Sequence, residues 1–277
     1  MKELATIFDI HSHCSNFKDD GLRLYARLNG LKYDLRELLE CMDQAGIFGA
    51  LLLSPPLKSG SAAPNSHILK LCDKSDGKLN PVLTVEPSQR SVEECKSVAN
   101  KNKGFVKGFK IRLGYVPVYA DDQVFQPLYD FAESEELPVM FHTGDTALQN
   151  GSLKHAHPLT LDALASNRSN LKIVICHFGN PWIMDAAELV YKHRNVYADI
   201  SGLFTGGGKY SAKYLDSLVK RVSEAIYYAG DADKILFGTD YPVETHQDAV
   251  GFTERLPLDK EDLEKIFSKN AKKVFAL

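Results

Sequence analysis

The sequence predicts an α/β protein folded as a single (β/α)8 barrel of the TIM type, with some distortion allowed. Three observations lead there. Eight short runs of β-forming residues are apolar almost throughout, as suits parallel strands buried on both faces. Helical patterns with readable ends separate them, and repeated strand–helix alternation makes a right-handed parallel fold. Histidine, lysine and aspartate gather at the C-terminal ends of several runs, the ends at which such barrels carry their chemistry. Eight units suit a closed barrel; a doubly wound open sheet is the alternative. The 277 residues fit one domain of this kind, and no Gly/Pro/Ser-rich linker divides them, so residues 1–277 are read as one unit.

The elements follow in order. TIFDIHSH (6–13) is the first strand. Asp34 and Glu37 form a capping box before LLECMDQA, and Gly46 closes that helix. GALLLSP (49–55) and NPVLTVE (80–86) flank a helical stretch over 65–75. Ser91 and Glu94 suggest a second capping box before a helix that ends near Gly104. After VKGFKIRL (106–113), Pro127 opens a helix through LYDFAESEE, where its missing N–H is not needed. PVMFHTG (138–144), KIVICHFG (172–179), NVYADIS (195–201) and ILFGTDYP (235–242) complete the strands. Helical stretches over 158–168, 182–194 and 211–229 separate them, and DKEDLEKIFSKNAKKVFAL (259–277) ends the chain as a helix.

Composition narrows the function. The chain is 44% hydrophobic and 25% charged with a net charge of −3, so it lacks the basic excess of a nucleic-acid binder. No apolar stretch approaches the roughly 18–20 residues of a membrane span, and MKELATIFDI has neither the apolar core nor the cleavage site of a signal peptide. Five scattered cysteines without a C-x-x-C read as free thiols in a reducing, cytoplasmic setting.

Strand alternation then sorts the polar residues. It places Asp9, His11 and His13 on one face, and Gly108, Lys110 and Arg112 on another. It likewise groups Met140 with His142, Ile173 and Ile175 with His177, and Leu236 and Gly238 with Asp240. Four histidines and an aspartate on one barrel rim would be costly to bury unpaired. A divalent metal removes that cost, since neutral imidazoles and a carboxylate are its natural ligands. His11-x-His13 on one strand sets both rings on one side of the ion.

DIHSH (9–13), GFK (108–110), PVMFHTG (138–144), ICHFGNP (175–181), GTDYP (238–242) and NAKKVFAL (270–277) together resemble the amidohydrolase superfamily. They are most similar to its branch of metal-dependent hydrolases and decarboxylases known as amidohydrolase family two, and the resemblance runs over nearly the whole chain. It implies that His11, His13, His142 and Asp240 bind the metal, most simply one Zn2+, with Mn2+ or another divalent ion as alternatives. It also implies that Asp240 handles the proton of the attacking water and that His177 orients or polarises the substrate. Lys110 stands where two-metal members carry a bridging lysine, but a plain ammonium in a substrate or structural ion pair suits a one-metal site better. Arg112 departs from the branch, which often has histidine there. Asp9 is read as a support for the ligands or a tie for the strand. A homodimer is compatible with the resemblance.

Other motifs say less. SGLFTGGGKY (201–210) is no phosphate-binding P-loop, because Tyr210 stands where Ser or Thr is required; a lid or plain loop is the reading, with Ser201 facing substrate or serving structure. His157 in KHAHP is read as a substrate-side or capping residue, and His67, His193 and His246 as helix or surface residues. The expected function is a metal-dependent hydrolase using an activated water on a small amide, lactone or other ester. The alternative is a metal-dependent, non-oxidative decarboxylase of a small carboxylic acid, for which Lys110 and Arg112 would supply positive charge. A nuclease of the same superfamily fits poorly, because its usual glutamate at the end of strand four is replaced by Lys110 and Arg112; a barrel that only binds fits poorly because the core positions are intact.

Overall fold

The computed structural model describes residues 7–147, 149–205, 210–230 and 232–277. The strands are β1 (Ile7–His13), β2 (Ile47–Leu53), β3 (Leu79–Thr84), β4 (Gly108–Ile111), β5 (Val139–Phe141), β6 (Ile173–Ile175), β7 (Val196–Asp199) and β8 (Ile235–Leu236). They pair in parallel in the order of the chain. β1 closes the ring on the segment that leaves β8. Ile10 N donates to Phe237 O at 3.1 Å, Asp240 N to His11 O at 2.7 Å and His13 N to Tyr241 O at 2.8 Å. The expected barrel is therefore the fold, not the open sheet.

Two apolar layers build it. One lies inside the ring and takes Phe8, Ile10, Leu51, Leu53, Met140 and Val174, among others. Val274 and Phe275 of the last helix join this layer, so the chain's C-terminal helix packs on the barrel's interior. Alternate residues, such as Leu52, Phe109, Ile111, Phe141 and Ile175, pack outward against the helices. Both strand faces are thus apolar, which is why the runs read as continuous. No helix among the described residues is long and apolar enough to cross a membrane.

Two local irregularities aim the polar residues, and both correct the simple alternation. β1 carries an extra residue between Asp9 and Ser12 relative to β2, because Asp9 pairs with Ala50 and Ser12 with Leu52. This bulge re-aims the strand. Phe8 and Ile10 face the interior below it, and His11 and His13 face the rim pocket above it. Asp9 leaves that face and ties the seam. Its Oδ1 accepts from His11 N at 2.9 Å and Thr239 N at 3.1 Å; its Oδ2 accepts from Ser12 Oγ at 2.5 Å and Thr239 Oγ1 at 2.6 Å. In β6 the inward residues are Val174 and Cys176, not Ile173 and Ile175. His177 still reaches the site because it and Phe178 take left-handed backbone angles, φ 60° and 44°.

The helix ends refine the rest. Asp34 caps helix Leu35–Gln44 through Glu37 N, but Glu37 returns its carboxylate to Lys32 N and Tyr33 N, not to Asp34. Helix Gln89–Lys101 is capped by Ser88, three residues before the expected Ser91; Ser91 Oγ instead accepts from Glu86 N. His246 opens helix His246–Glu254 and is fully buried against Tyr241, and His193 is buried beside Asp162, so the helix reading holds for His246 and the surface reading for neither. Of the loop 201–210, residues 206–209 lie outside the described residues, and the lid reading lies there with them.

Candidate metal centre

His11 and His13 come from β1 above its bulge, and Asp240 from the turn after β8. His13 Nε2 lies 3.1 Å and His11 Nε2 3.5 Å from Asp240 Oδ1. The opposite ring nitrogens are already engaged. His13 Nδ1 lies 3.0 Å from Leu53 O, and His11 Nδ1 lies 3.1 Å from Asp199 Oδ2. Carbonyl and carboxylate oxygens only accept, so with a cation on the Nε2 side both Nδ1 atoms would carry the proton and both Nε2 atoms would present lone pairs.

Burial pushes the His11 imidazole down to about 3, helped by the Lys110 charge and opposed by Asp199 and Asp240. Burial also acts to raise Asp240, but the His13 contact and the neighbouring rings of His177 and His11 outweigh it and hold the carboxyl below the usual range. His11 Nε2 is buried with no hydrogen-bond partner. Two imidazole nitrogens and a carboxylate oxygen thus converge, all within 4.8 Å of one another. That donor set fits a divalent cation.

His142 and His177 stand beside this group and not within it. His177 Nε2 lies 3.1 Å from His142 Nδ1; His142 Nε2 lies 2.9 Å from Asp145 O, and His177 Nδ1 lies 3.1 Å from Ser201 O. Burial lowers the pKa of both rings, His142 the further of the two. Three contacts each require one N–H, and two neutral rings supply two. One contact is left acceptor to acceptor, which a cation on His142 would relieve.

Lys110 is buried, and its Nζ donates to Cys176 Sγ at 2.7 Å. Arg112 donates from Nη2 to Glu86 Oε1 at 2.7 Å and Gly60 O at 3.0 Å, while its Nε and Nη1 are buried without partners. Both residues line the cavity that His11, His13 and Asp240 also line. Ser201 is turned away from it. Its hydroxyl donates to Asp199 Oδ1 at 2.5 Å and lies within 3.1 Å of the Nδ1 atoms of His11 and His177. His157 caps the turn Pro158–Leu161 through Leu159 N and packs on Trp182, and lines neither chamber of the cavity described below.

Asp199 is the residue that sequence reasoning missed. Besides His11 it accepts from His177 N at 2.9 Å and Ser201 N at 3.1 Å. Burial acts to raise it, but His11, His177 and Ser201 hold its carboxyl well below the usual range. The signal was present as a lone carboxylate inside the apolar run NVYADIS. Gly202 is also part of the site. Its φ is +59°, and a Cβ there would lie 2.8 Å from Asp240 Oδ2 and 2.9 Å from His177 Nδ1.

The cavity has two chambers joined where His142, His177 and Asp240 line both. The inner one, about 60 Å³, holds His11, His13, Lys110 and Arg112. The outer one, about 240 Å³, is walled by Tyr25, Tyr115, Phe204, Tyr210 and Tyr214.

Comparison with known proteins agrees with this architecture. The gamma-resorcylate decarboxylase of Polaromonas sp. (strain JS666) is 23% identical over 231 residues, covering 71% of this chain and 68% of that protein. An amidohydrolase from Burkholderia multivorans with bound zinc superposes with a TM-score of 0.77 at 16% identity, covering 99% of this chain and 100% of that one. A probable 2-pyrone-4,6-dicarboxylic acid hydrolase from Acinetobacter baumannii superposes at 0.69 with 17% identity, covering 98% and 100%. The family model described as Amidohydrolase matches residues 8–277, and this chain belongs to that family.

Proposed function

We propose that this protein is a metal-dependent hydrolase that attacks a small amide, lactone or other ester with an activated water. The observation that carries the reading is the convergence of His11 Nε2, His13 Nε2 and Asp240 Oδ1 within 4.8 Å of one another, with His11 Nε2 buried and unpaired. These three residues would hold one ion, with His142 completing the set, and zinc suits the nitrogen-rich donors. When bound, the ion supplies Lewis acidity and lowers the pKa of water toward roughly 7.

The chain's own residues do the rest. Asp240, held ionised, takes the proton of the attacking water and returns it to the leaving group. His177, lining the junction of the chambers, polarises the carbonyl under attack. Lys110 and Arg112 bind an anionic substituent of the substrate through the inner chamber; Arg112 has two buried guanidinium nitrogens without partners to offer it. Ser201 acts through Asp199 and the rings of His11 and His177, and His157 through its cap. The five free cysteines support a reducing, cytoplasmic setting.

The same two cations favour a second reading, non-oxidative decarboxylation of a small carboxylic acid, the activity named for the Polaromonas relative. One experiment separates the two. The metal-loaded protein is given lactones, amides and aromatic carboxylic acids, with carbon dioxide and acid release both followed. Acid release without carbon dioxide supports the hydrolase, and carbon dioxide release supports the decarboxylase. Elemental analysis of wild type and His11→Ala/His13→Ala tests the premise of both. About one divalent ion per chain, lost in the folded double variant, is expected. No ion taken up by wild type would overturn both readings.

A further inference from the structure

One wall of the inner chamber is a loop, residues 54–64, that joins β2 to the helix Asn65–Asp73. Ser54 and Pro56 line the chamber, while Lys58, Ser59 and Ser61 stand in solvent. The loop folds back on itself. Leu57 N donates to Ser61 O at 2.8 Å, Gly60 N to Leu57 O at 2.9 Å and Ala63 N to Pro55 O at 2.9 Å. Its base is tied to the loop after β1, with Gly21 N donating to Pro56 O and Lys58 N to Asp19 O, both at 2.8 Å. Its tip is held from the other side by two charged side chains. Arg112 Nη2 donates to Gly60 O at 3.0 Å; Glu86 Oε1 accepts from Ala62 N at 3.2 Å and from Arg112 Nη2 at 2.7 Å. Glu86 is itself fixed, because its backbone N donates to Ser91 Oγ at 3.0 Å in helix Gln89–Lys101.

One guanidinium thus serves both the loop and the chamber. Arg112 lines the chamber beside His11, His13 and Asp240, and its Nε and Nη1 are buried with no partner. Buried N–H groups without acceptors are costly. With the loop shut over Arg112 that cost stands in full. Lifting the loop lets water reach the guanidinium and removes it. An anion in the chamber removes it with the loop still shut. With an ion bound, His11, His13 and Asp240 would be its ligands, which leaves the cations Lys110 and Arg112 to the anion. Occupancy of the chamber and closure of the loop therefore favour each other, and by linkage each strengthens the other equally.

We propose that Glu86 is a positioning residue that, through Arg112, couples anion binding in the inner chamber to closure of the 55–63 loop. This rests on the reading of Arg112 as the contact for an anionic substituent, and adds the loop and Glu86 to it. Glu86 makes the coupling because one oxygen holds both the guanidinium and the Ala62 amide. Without it Arg112 keeps only Gly60 O, and the guanidinium can turn toward an anion without moving the loop.

Hydrogen exchange of the peptide spanning residues 55–63 tests it, since exchange there reports loop opening. The metal-loaded protein is measured with and without acetate at matched ionic strength, and broadening of the acetate 13C resonance reads binding in the same samples. In wild type, acetate should slow exchange about tenfold. In Glu86→Ala, exchange without acetate should be faster and the acetate effect should vanish. Glu86→Gln keeps an oxygen for Ala62 N and Arg112 Nη2 and should restore the effect, which a residue that only filled space would not require. Exchange in the helix Ala212–Tyr228 is the internal control. If Glu86→Ala loosens that helix too, Arg112→Lys is read in its place, with the same loss of the acetate effect. Acetate that binds wild type without slowing the loop, or that slows it equally in the variant, would overturn the coupling and leave Arg112 as an anion contact. If acetate binds wild type no more tightly than Arg112→Met, the reading of Arg112 itself fails, and the coupling with it.

Discussion

His11 Nδ1 meets Asp199 Oδ2 at 3.1 Å, joining β1 to β7 inside the barrel with both side chains fully buried. This contact fixes which nitrogen of His11 keeps its proton, and so which one offers a lone pair to a metal. A carboxylate behind a ligating histidine raises the ligand's basicity and holds its ring in place.

Asp199→Asn should therefore lower metal affinity by about 10–100-fold while the far-UV circular dichroism stays that of wild type. Competition with a coloured chelator measures it. Unchanged affinity would mean that Asp199 serves only the backbone amides of His177 and Ser201 and the Ser201 hydroxyl.

Gly202 should tolerate no side chain. Alanine there meets both the φ of +59° and the close approach of Asp240 Oδ2 and His177 Nδ1. We expect Gly202→Ala to cost about 1–3 kcal/mol in a denaturant melt, and to reduce bound metal, read by elemental analysis. Retention of full metal with an unchanged melt would show that the 201–205 segment relaxes freely.

The seam between β1 and β8 should depend on Asp9. Its carboxylate serves two backbone amides and two hydroxyls, and burial pushes its pKa up to about 6 even though those hydrogen bonds pull the other way. Removing a buried acceptor strands its donors. Asp9→Ala should destabilise the protein by about 3–5 kcal/mol in urea. A loss below about 1 kcal/mol would show that the bulge stands without it.

Glu244 gives a pH dependence. It is buried, its Oε1 accepting from Phe204 N at 3.1 Å, and burial holds its carboxyl well above its ordinary value of 4.5. Between that value and the raised one, the native state keeps a proton that the unfolded chain has lost. Stability therefore falls as pH rises through this window. Glu244→Gln keeps an acceptor for Phe204 N and removes the titration. Across pH 5 to 8 the variant's melting temperature should fall less than that of wild type, and parallel curves would rule the coupling out.

Much of this protein was legible in its residues. Apolar runs such as KIVIC and ALLL can be buried on both faces only between two layers, so eight of them separated by helices determine a parallel sheet covered on both sides, and the seam between β1 and the segment after β8 decides that it closes. The motif DIHSH and the aspartate of GTDYP point to a metal site, because groups so costly to bury need a common partner. Tertiary structure decided where those groups point. Period-two alternation assumes an unbroken strand, and it failed where the backbone departs from one. The bulge at Asp9–Ser12 swings Asp9 into the seam, and the left-handed turn at His177 brings that ring in from a strand whose inward residues have the other parity. The pairing of His11 with Asp199 spans 188 residues, and the cavity over the site draws on loops with no motif of their own. Such contacts come from the barrel's closure, which brings distant strand ends to one rim, and no local pattern encodes them.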